Sequence, residues 1–164
     1  MEIKTVEELN LFKLELIKII KQRYVNREGS IGEFIKHINS NEDTLYRMLH
    51  GGKAKRKADV GLRIVLKVLK ELNQDLEIEG LSLSKVKEIA EIHSHLLNMT
   101  KKIVVRLNND LTLADIARRY YLQPRKLSEI LLDRVSSTNT LMSIDLLLTF
   151  LIKMNRSITV EIKE

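Results

Sequence analysis

Cysteine is absent from the 164 residues, which excludes disulfides and any thiolate metal site and fits a reducing, cytoplasmic compartment. Aromatic residues are scarce, and the adjacent pair Tyr120 and Tyr121 is expected to pack between helices rather than to stack on bases. No apolar run reaches the length of a membrane span, because the strongest, Ile144 to Ile152, is interrupted by Asp145 and Thr149. The first ten residues, MEIKTVEELN, lack the basic-then-apolar layout of a signal peptide. A Gly-rich phosphate loop and a nucleophile elbow are also missing, and neither His37 nor His50 stands with a partnered nucleophile. His93 and His95 are two residues apart, a spacing that does not share a helical face, and no carboxylate lies at ligand spacing. They are expected to be solvent-exposed histidines. These absences leave no basis for an enzyme, a metal or a cofactor.

What is present is a modest positive charge and a strong helical pattern. The net charge of +6 favours an anionic partner. Residues 1–82 carry 15 basic and 13 acidic side chains, and residues 83–164 carry 13 and 9, so neither half is an acidic passenger.

The most informative stretch is Thr112 to Leu132, TLADIARRYYLQPRKLSEILL. Thr112 and Asp115 have the spacing of a helix start, where the hydroxyl takes an orphan backbone N–H. Leu113, Ile116, Ala117 and Tyr120 then share one helical face. Leu122 breaks that rhythm. Pro124 suits the first turn of a second helix, having no N–H to leave unpaired and a φ that is already helical. Leu127, Ile130 and Leu131 give that helix an inner face, leaving Gln123, Arg125, Lys126, Ser128 and Glu129 outside. A capped helix, a three-residue turn and a second helix with a polar, partly basic outer face describe a helix-turn-helix.

The pattern occurs twice. Ser30 to His50, SIGEFIKHINSNEDTLYRMLH, lies over Thr112 to Leu132 without a gap, 82 residues upstream. Leu45 falls on Leu127 and Leu49 on Leu131. Further along, Leu62, Leu66, Leu69 and Leu72 fall on Ile144, Leu148, Leu151 and Met154, and Leu76 and Ile78 fall on Ile158 and Val160. The chain reads as two copies of one domain, residues 1–80 and 81–164. The expected fold is mainly all-α: two tandem helix-turn-helix domains, each of four to five helices with a short C-terminal β-strand.

In chain order, Thr5 and Glu8 open a long helix through Leu9, Phe12, Leu16, Ile20 and Tyr24. Ser30 to Ile38, a turn at Asn39, and Asn41 to His50 form the first helix-turn-helix, closed by Gly51 and Gly52. Asp59 is expected to cap a helix to Leu72, with Asn73 as its left-handed stop. Asp75 to Glu79 alternates as a strand would, and Gly80-Leu81-Ser82 reads as a linker. Ser84 is expected to start a helix running through Val86, Ile89, Ile92, Leu96, Ile103 and Leu107, broken or bent near Asn98. Ser143 caps the helix Ile144 to Met154, and Ser157 to Lys163 alternates as a second strand.

The candidate base readers in the second copy are Gln123, Arg125, Lys126, Ser128 and Glu129; in the first they are Asn41, Thr44, Tyr46 and Arg47. Glu42 and Asp43 repel phosphate at the start of the first copy's second helix, although they favour a helix N-terminus. The densest positive run, Lys53, Lys55, Arg56 and Lys57, follows that helix and is read as a phosphate-contacting loop, the alternative being a solvated basic loop. Ser30, Thr112 and Arg134 complete the phosphate candidates.

The order helix, helix-turn-helix, capped helix and strand resembles the Cro/C1-type (XRE) family, and more narrowly antitoxins of the HigA and addiction-module-antidote kind. The matching stretches are Thr44-Leu45-Tyr46-Arg47-Met48-Leu49 and Val65 to Asn73, with Ile144 to Asn155 and Ile158 to Ile162 in the second copy. Two positions depart from the family: Tyr121 stands where glycine is frequent, and Ile35 where a small residue such as Ala117 is usual. The resemblance implies a sequence-specific regulator of transcription, a repressor or an antitoxin controlling its own operon, with double-stranded DNA as partner. The alternative is a protein-binding module of the same fold that holds a toxin or another protein. Each copy ends in a strand whose edge needs a partner. Pairing within the chain would make a pseudo-dimeric monomer, and pairing between chains a homodimer.

Overall fold

The computed structural model describes residues 1–26, 33, 34, 36, 45, 48, 49, 60–132, 142–154 and 156–163. The alternation of Ile158, Thr159, Val160, Glu161 and Ile162 produces the strand that organises them. This strand, β4 (Ile158–Ile162), buries Ile158 and Val160 and turns Thr159 and Glu161 to solvent. It lies between β1 (Glu2–Ile3) and β2 (Leu76–Ile78), and β2 continues to β3 (Leu81–Ser82), giving one antiparallel sheet in the order β1-β4-β2-β3. The two alternating segments therefore pair with each other inside the chain: Leu76 opposite Ile162, Glu77 opposite Glu161 and Ile78 opposite Val160. β1 and β3 were not expected. The segment read as a linker is a hairpin turn, with Glu79 (φ 48°) and Gly80 (φ 81°) both in the positive region that matches the twist of paired strands. Glu79 is held there from several sides. Its carboxylate takes the Thr159 N–H at 3.0 Å and pairs with Arg156, and its carbonyl accepts from His95 Nε2 at 3.0 Å.

Around the sheet stand six helices among the described residues: α1 (Val6–Val25), α2 (Leu62–Glu71), α3 (Ile89–Asn108), α4 (Leu113–Tyr120), α5 (Pro124–Leu131) and α6 (Ile144–Lys153). The protein is thus mainly helical with a small antiparallel sheet, and no described helix is long and apolar enough to cross a membrane. Thr5 caps α1, its hydroxyl taking the Glu8 N–H at 3.1 Å, while the Glu8 carboxylate takes the Lys4 N–H. α2 stops as its sequence requires: Asn73 adopts φ 59°, so that the Asn73 and Gln74 N–H groups reach back to the Lys70 and Leu69 carbonyls.

Four expectations are corrected. α2 begins at Leu62 with Gly61 before it, not at a cap on Asp59, which lies outside the described residues. Ser84 does not start a helix. Its N–H is held by the Asp75 carboxylate at 3.0 Å and the Leu83 and Val86 carbonyls are held by Lys70 Nζ, so the helix waits for the reciprocal cap of Glu88 and Glu91. α3 then runs unbroken past Asn98, because the gap in its apolar face is filled by Thr100, fully buried with its hydroxyl on the Leu96 carbonyl at 2.8 Å. The histidines are not solvent-exposed. His93 is buried at 2% exposure, its Nε2 donating to the Met142 carbonyl at 2.7 Å, and His95 is half-buried against the hairpin turn.

Side chains from both halves of the chain form one continuous core. It includes Leu16, Ile20, Leu66, Leu69 and Leu96, Val104, Leu148 and Leu151, together with Ile78 and Val160 beneath the sheet. Phe34, Leu45, Met48 and Leu49 also belong to it. These four lie 82 residues before Ile116, Leu127, Ile130 and Leu131, the inner positions of α4 and α5.

Candidate nucleic-acid interface

The geometry of α4, its turn and α5 follows from three local devices. The Thr112 hydroxyl accepts the Asp115 N–H at 3.1 Å and fixes where α4 begins. Tyr121 then takes a left-handed conformation (φ 57°, ψ 48°), which ends α4 and lets the Leu122 N–H close on the Ala117 carbonyl at 2.8 Å. Pro124 opens α5, with the Lys126 and Leu127 N–H groups bonded to the Gln123 carbonyl. Leu122, Leu127 and Ile130 bury the inner side of this unit, and α5 packs on α3 and α4.

The outer side is narrower than the sequence suggests. Gln123 and Arg125 are exposed, the Arg125 side chain at 87%, and Ser128 is half-buried. Lys126 keeps only 17% of its side chain in solvent, and Glu129 is buried. Glu129 is therefore corrected from a base reader to a positioning residue. Its carboxylate lies 3.5 Å from Arg125 Nε and 3.9 Å from Lys126 Nζ, holding both cations on one side of α5. With Nε engaged, the two terminal nitrogens of Arg125 remain as a forked donor pair, the geometry that matches the O6 and N7 acceptors of guanine.

Four residues of this surface were missed in the sequence. Arg118 and Arg119 occupy the exposed last turn of α4, Lys153 reaches from the end of α6 to the Tyr121 carbonyl at 3.2 Å, and Tyr121 itself is 85% exposed. The expectation that Tyr121 packs between helices is overturned: Tyr120 rests against the core, and the left-handed turn throws Tyr121 outward. The Arg118-Arg119 pair was legible as a basic step in a helix end; nothing local marked Lys153.

Elsewhere the surface has the opposite sign. The solvent side of the sheet carries Glu2, Glu77 and Glu161, with Lys163 Nζ on Glu77 at 2.8 Å. That contact, followed by the charges of Glu77, Glu161 and Asp75, raises the pKa of Lys163 above its ordinary value. Phosphate would be repelled by this side and drawn to the arginines of α4 and α5. A cleft of 710 Å³ lined by Gln22, Arg23, Asn26, Glu71 and Asn73 brings no nucleophile and base together among the described residues.

The candidates Ser30, Asn41, Thr44, Tyr46, Arg47, Lys53, Lys55, Arg56, Lys57 and Arg134 lie outside the described residues. Thr112 is at the exposed start of α4. In comparisons with known proteins, no family model matches the sequence, and no curated protein and no solved structure matches it either.

Proposed function

We propose that the chain is a sequence-specific regulator that binds double-stranded DNA through two tandem helix-turn-helix domains of the Cro/C1 type. The observation that carries the reading is the Arg125 side chain. It stands almost fully exposed at the start of a helix whose entry is fixed by Pro124 and whose cations are positioned by the buried Glu129. A short helix presented by a tight turn, with Gln123 and Arg125 at its N-terminal end, suits the major groove, where both residue types read purine edges. Arg118, Arg119 and Lys153 supply the phosphate contacts that set register without reading sequence. Bound across a promoter, such a protein acts as a repressor.

The test is the affinity of Arg125→Ala and Glu129→Gln for duplexes selected from a random library. Loss of one forked base contact costs about 1–3 kcal/mol. Arg125→Ala is expected to show that loss together with relaxed preference at one base pair, and Glu129→Gln a smaller one. Wild-type protein that fails to bind any duplex at low salt, where phosphate contacts are strongest, overturns the reading and leaves the protein-binding module.

A further inference from the structure

The repeat runs head to tail along the sequence, but the strands do not. In the central pair Ile78 faces Val160, and these two positions are themselves 82 residues apart. A residue that pairs with its own counterpart lies on a two-fold axis. The rest of the sheet obeys the same axis. On one side Glu2 pairs with Thr159 and Ile3 with Ile158, and Met1 and Val160 exchange both backbone hydrogen bonds. On the other side Ser82 pairs with Glu77 and Leu81 with Ile78, and the Leu83 N–H reaches the Leu76 carbonyl at 2.8 Å. Rotation exchanges each contact of the first set with one of the second. The helices follow: α2 and α6 are ten residues each, and α1 and α3 are twenty each. α1 packs on α2 as α3 packs on α6, and α2 packs on α6.

We infer that a single chain recognises an imperfect inverted repeat in duplex DNA, the local two-fold axis of the site coinciding with the Ile78–Val160 axis of the protein. The inference rests on the DNA-binding reading and specifies its target. A translation between copies would require a direct repeat, whereas a rotation requires half-sites of opposite orientation. Two helix-turn-helix units related this way meet half-sites whose centres lie about 10 base pairs apart on one side of the duplex. The half-sites are unequal because the sequence places Asn41 and Asp43 where the second copy has Gln123 and Arg125.

Selection of bound sequences from a random duplex library by the full chain, with the mass of the resulting complex, tests this. The expected result is one chain per duplex and a consensus of two different half-sites in inverted orientation. Arg125→Ala is expected to remove information from one half-site alone and to leave the other unchanged. A direct repeat, a lone half-site or two chains on one duplex overturns the inference while leaving DNA binding intact. Absence of duplex binding overturns the DNA-binding reading itself. A free protein that sediments as a stable dimer also counts against the single-chain site.

Discussion

Helices α2 and α6 match in length and in place, yet their N-termini are held in different ways. α6 is served locally, by the Ser143 hydroxyl on the Leu146 N–H at 3.1 Å. α2 starts from Gly61, which offers no side chain, and its Leu62 N–H is taken by Asp145 Oδ2 at 2.9 Å. Asp145 belongs to the first turn of α6, so one half of the chain caps the other. Its second oxygen lies 2.8 Å from Lys13 Nζ, an ammonium with only 7% of its side chain exposed. By the pseudo-symmetry the places of Asp145 and Lys13 are filled in the opposite half by Arg63 and Leu96. Two first halves would set Lys13 against Arg63, and two second halves would set Asp145 against Leu96. Only the unlike pair satisfies both charges. A near-symmetric scaffold has been made directional at its seam, which favours pairing within the chain over pairing between identical halves.

The sharpest way to break this comparison is Asp145→Ala, which strands a buried ammonium and an N-terminal N–H. The expected loss is about 3 kcal/mol, the low end for a broken buried pair because the Asp145 side chain is one-third exposed. Asp145→Asn keeps an acceptor for Leu62, and combined with Lys13→Leu it is expected to recover most of that loss in urea unfolding. A single-variant loss below about 0.5 kcal/mol would mean the pair is an ordinary surface contact.

Smaller effects sharpen the contrast between the caps. Ser143→Ala is expected to cost about 1 kcal/mol. Gly61→Ser, which gives α2 the residue α6 has, is expected to gain a few tenths. A Cβ at that position meets only Asp145 Oδ2 at 3.8 Å. Equal losses from Ser143→Ala and Gly61→Ser would contradict the difference between the two starts.

Acid gives the smallest and most diffuse effect. Burial pushes the Asp75 carboxyl up, but hydrogen bonds from Ser84 and Leu76 and the charge of Lys163 outweigh it, leaving the pKa below the ordinary value. A depressed carboxylate contributes stability above the ordinary carboxylate range and loses it as pH falls through its own pKa. The corresponding residue in the second half is Ser157, which does not titrate. Asp75→Asn should therefore flatten the acid limb of a stability–pH curve slightly, and an unchanged limb would remove Asp75 as a contributor.

Features encoded by neighbouring residues were legible in the sequence. Thr5 with Glu8, Thr112 with Asp115, Pro124, Asn73 and Ser143 each act within one turn of chain, and the structure uses all of them as read. The alternating strands β2 and β4 were legible too, as was their antiparallel pairing. β1 and β3 were not, because two residues carry no periodicity, and the turn between β2 and β3 looked like a linker. Thr100 and His93 were misread for one reason: a polar residue on an apolar face looks like an interruption until its backbone partner is seen. Of the site, Gln123 and Arg125 were placed correctly on the exposed side. The burial of Glu129 and the arrival of Lys153 depend on packing between distant segments, which spacing along one helix does not encode.

The position of β4 also dictates an order of events during synthesis. β2 and β3 lie five residues or fewer apart and can close as a hairpin as soon as they leave the ribosome. β1 has no partner except β4, which follows it by more than 150 residues. The N-terminal strand must therefore wait, its Ile3 uncovered, until nearly all of the 164 residues have been made. Closing such a distant pair is slow relative to local helix formation, and an open strand edge is a liability while it lasts. Completion of the sheet is then a late step, in which insertion of β4 joins the earliest segment of the chain to the hairpin at its middle.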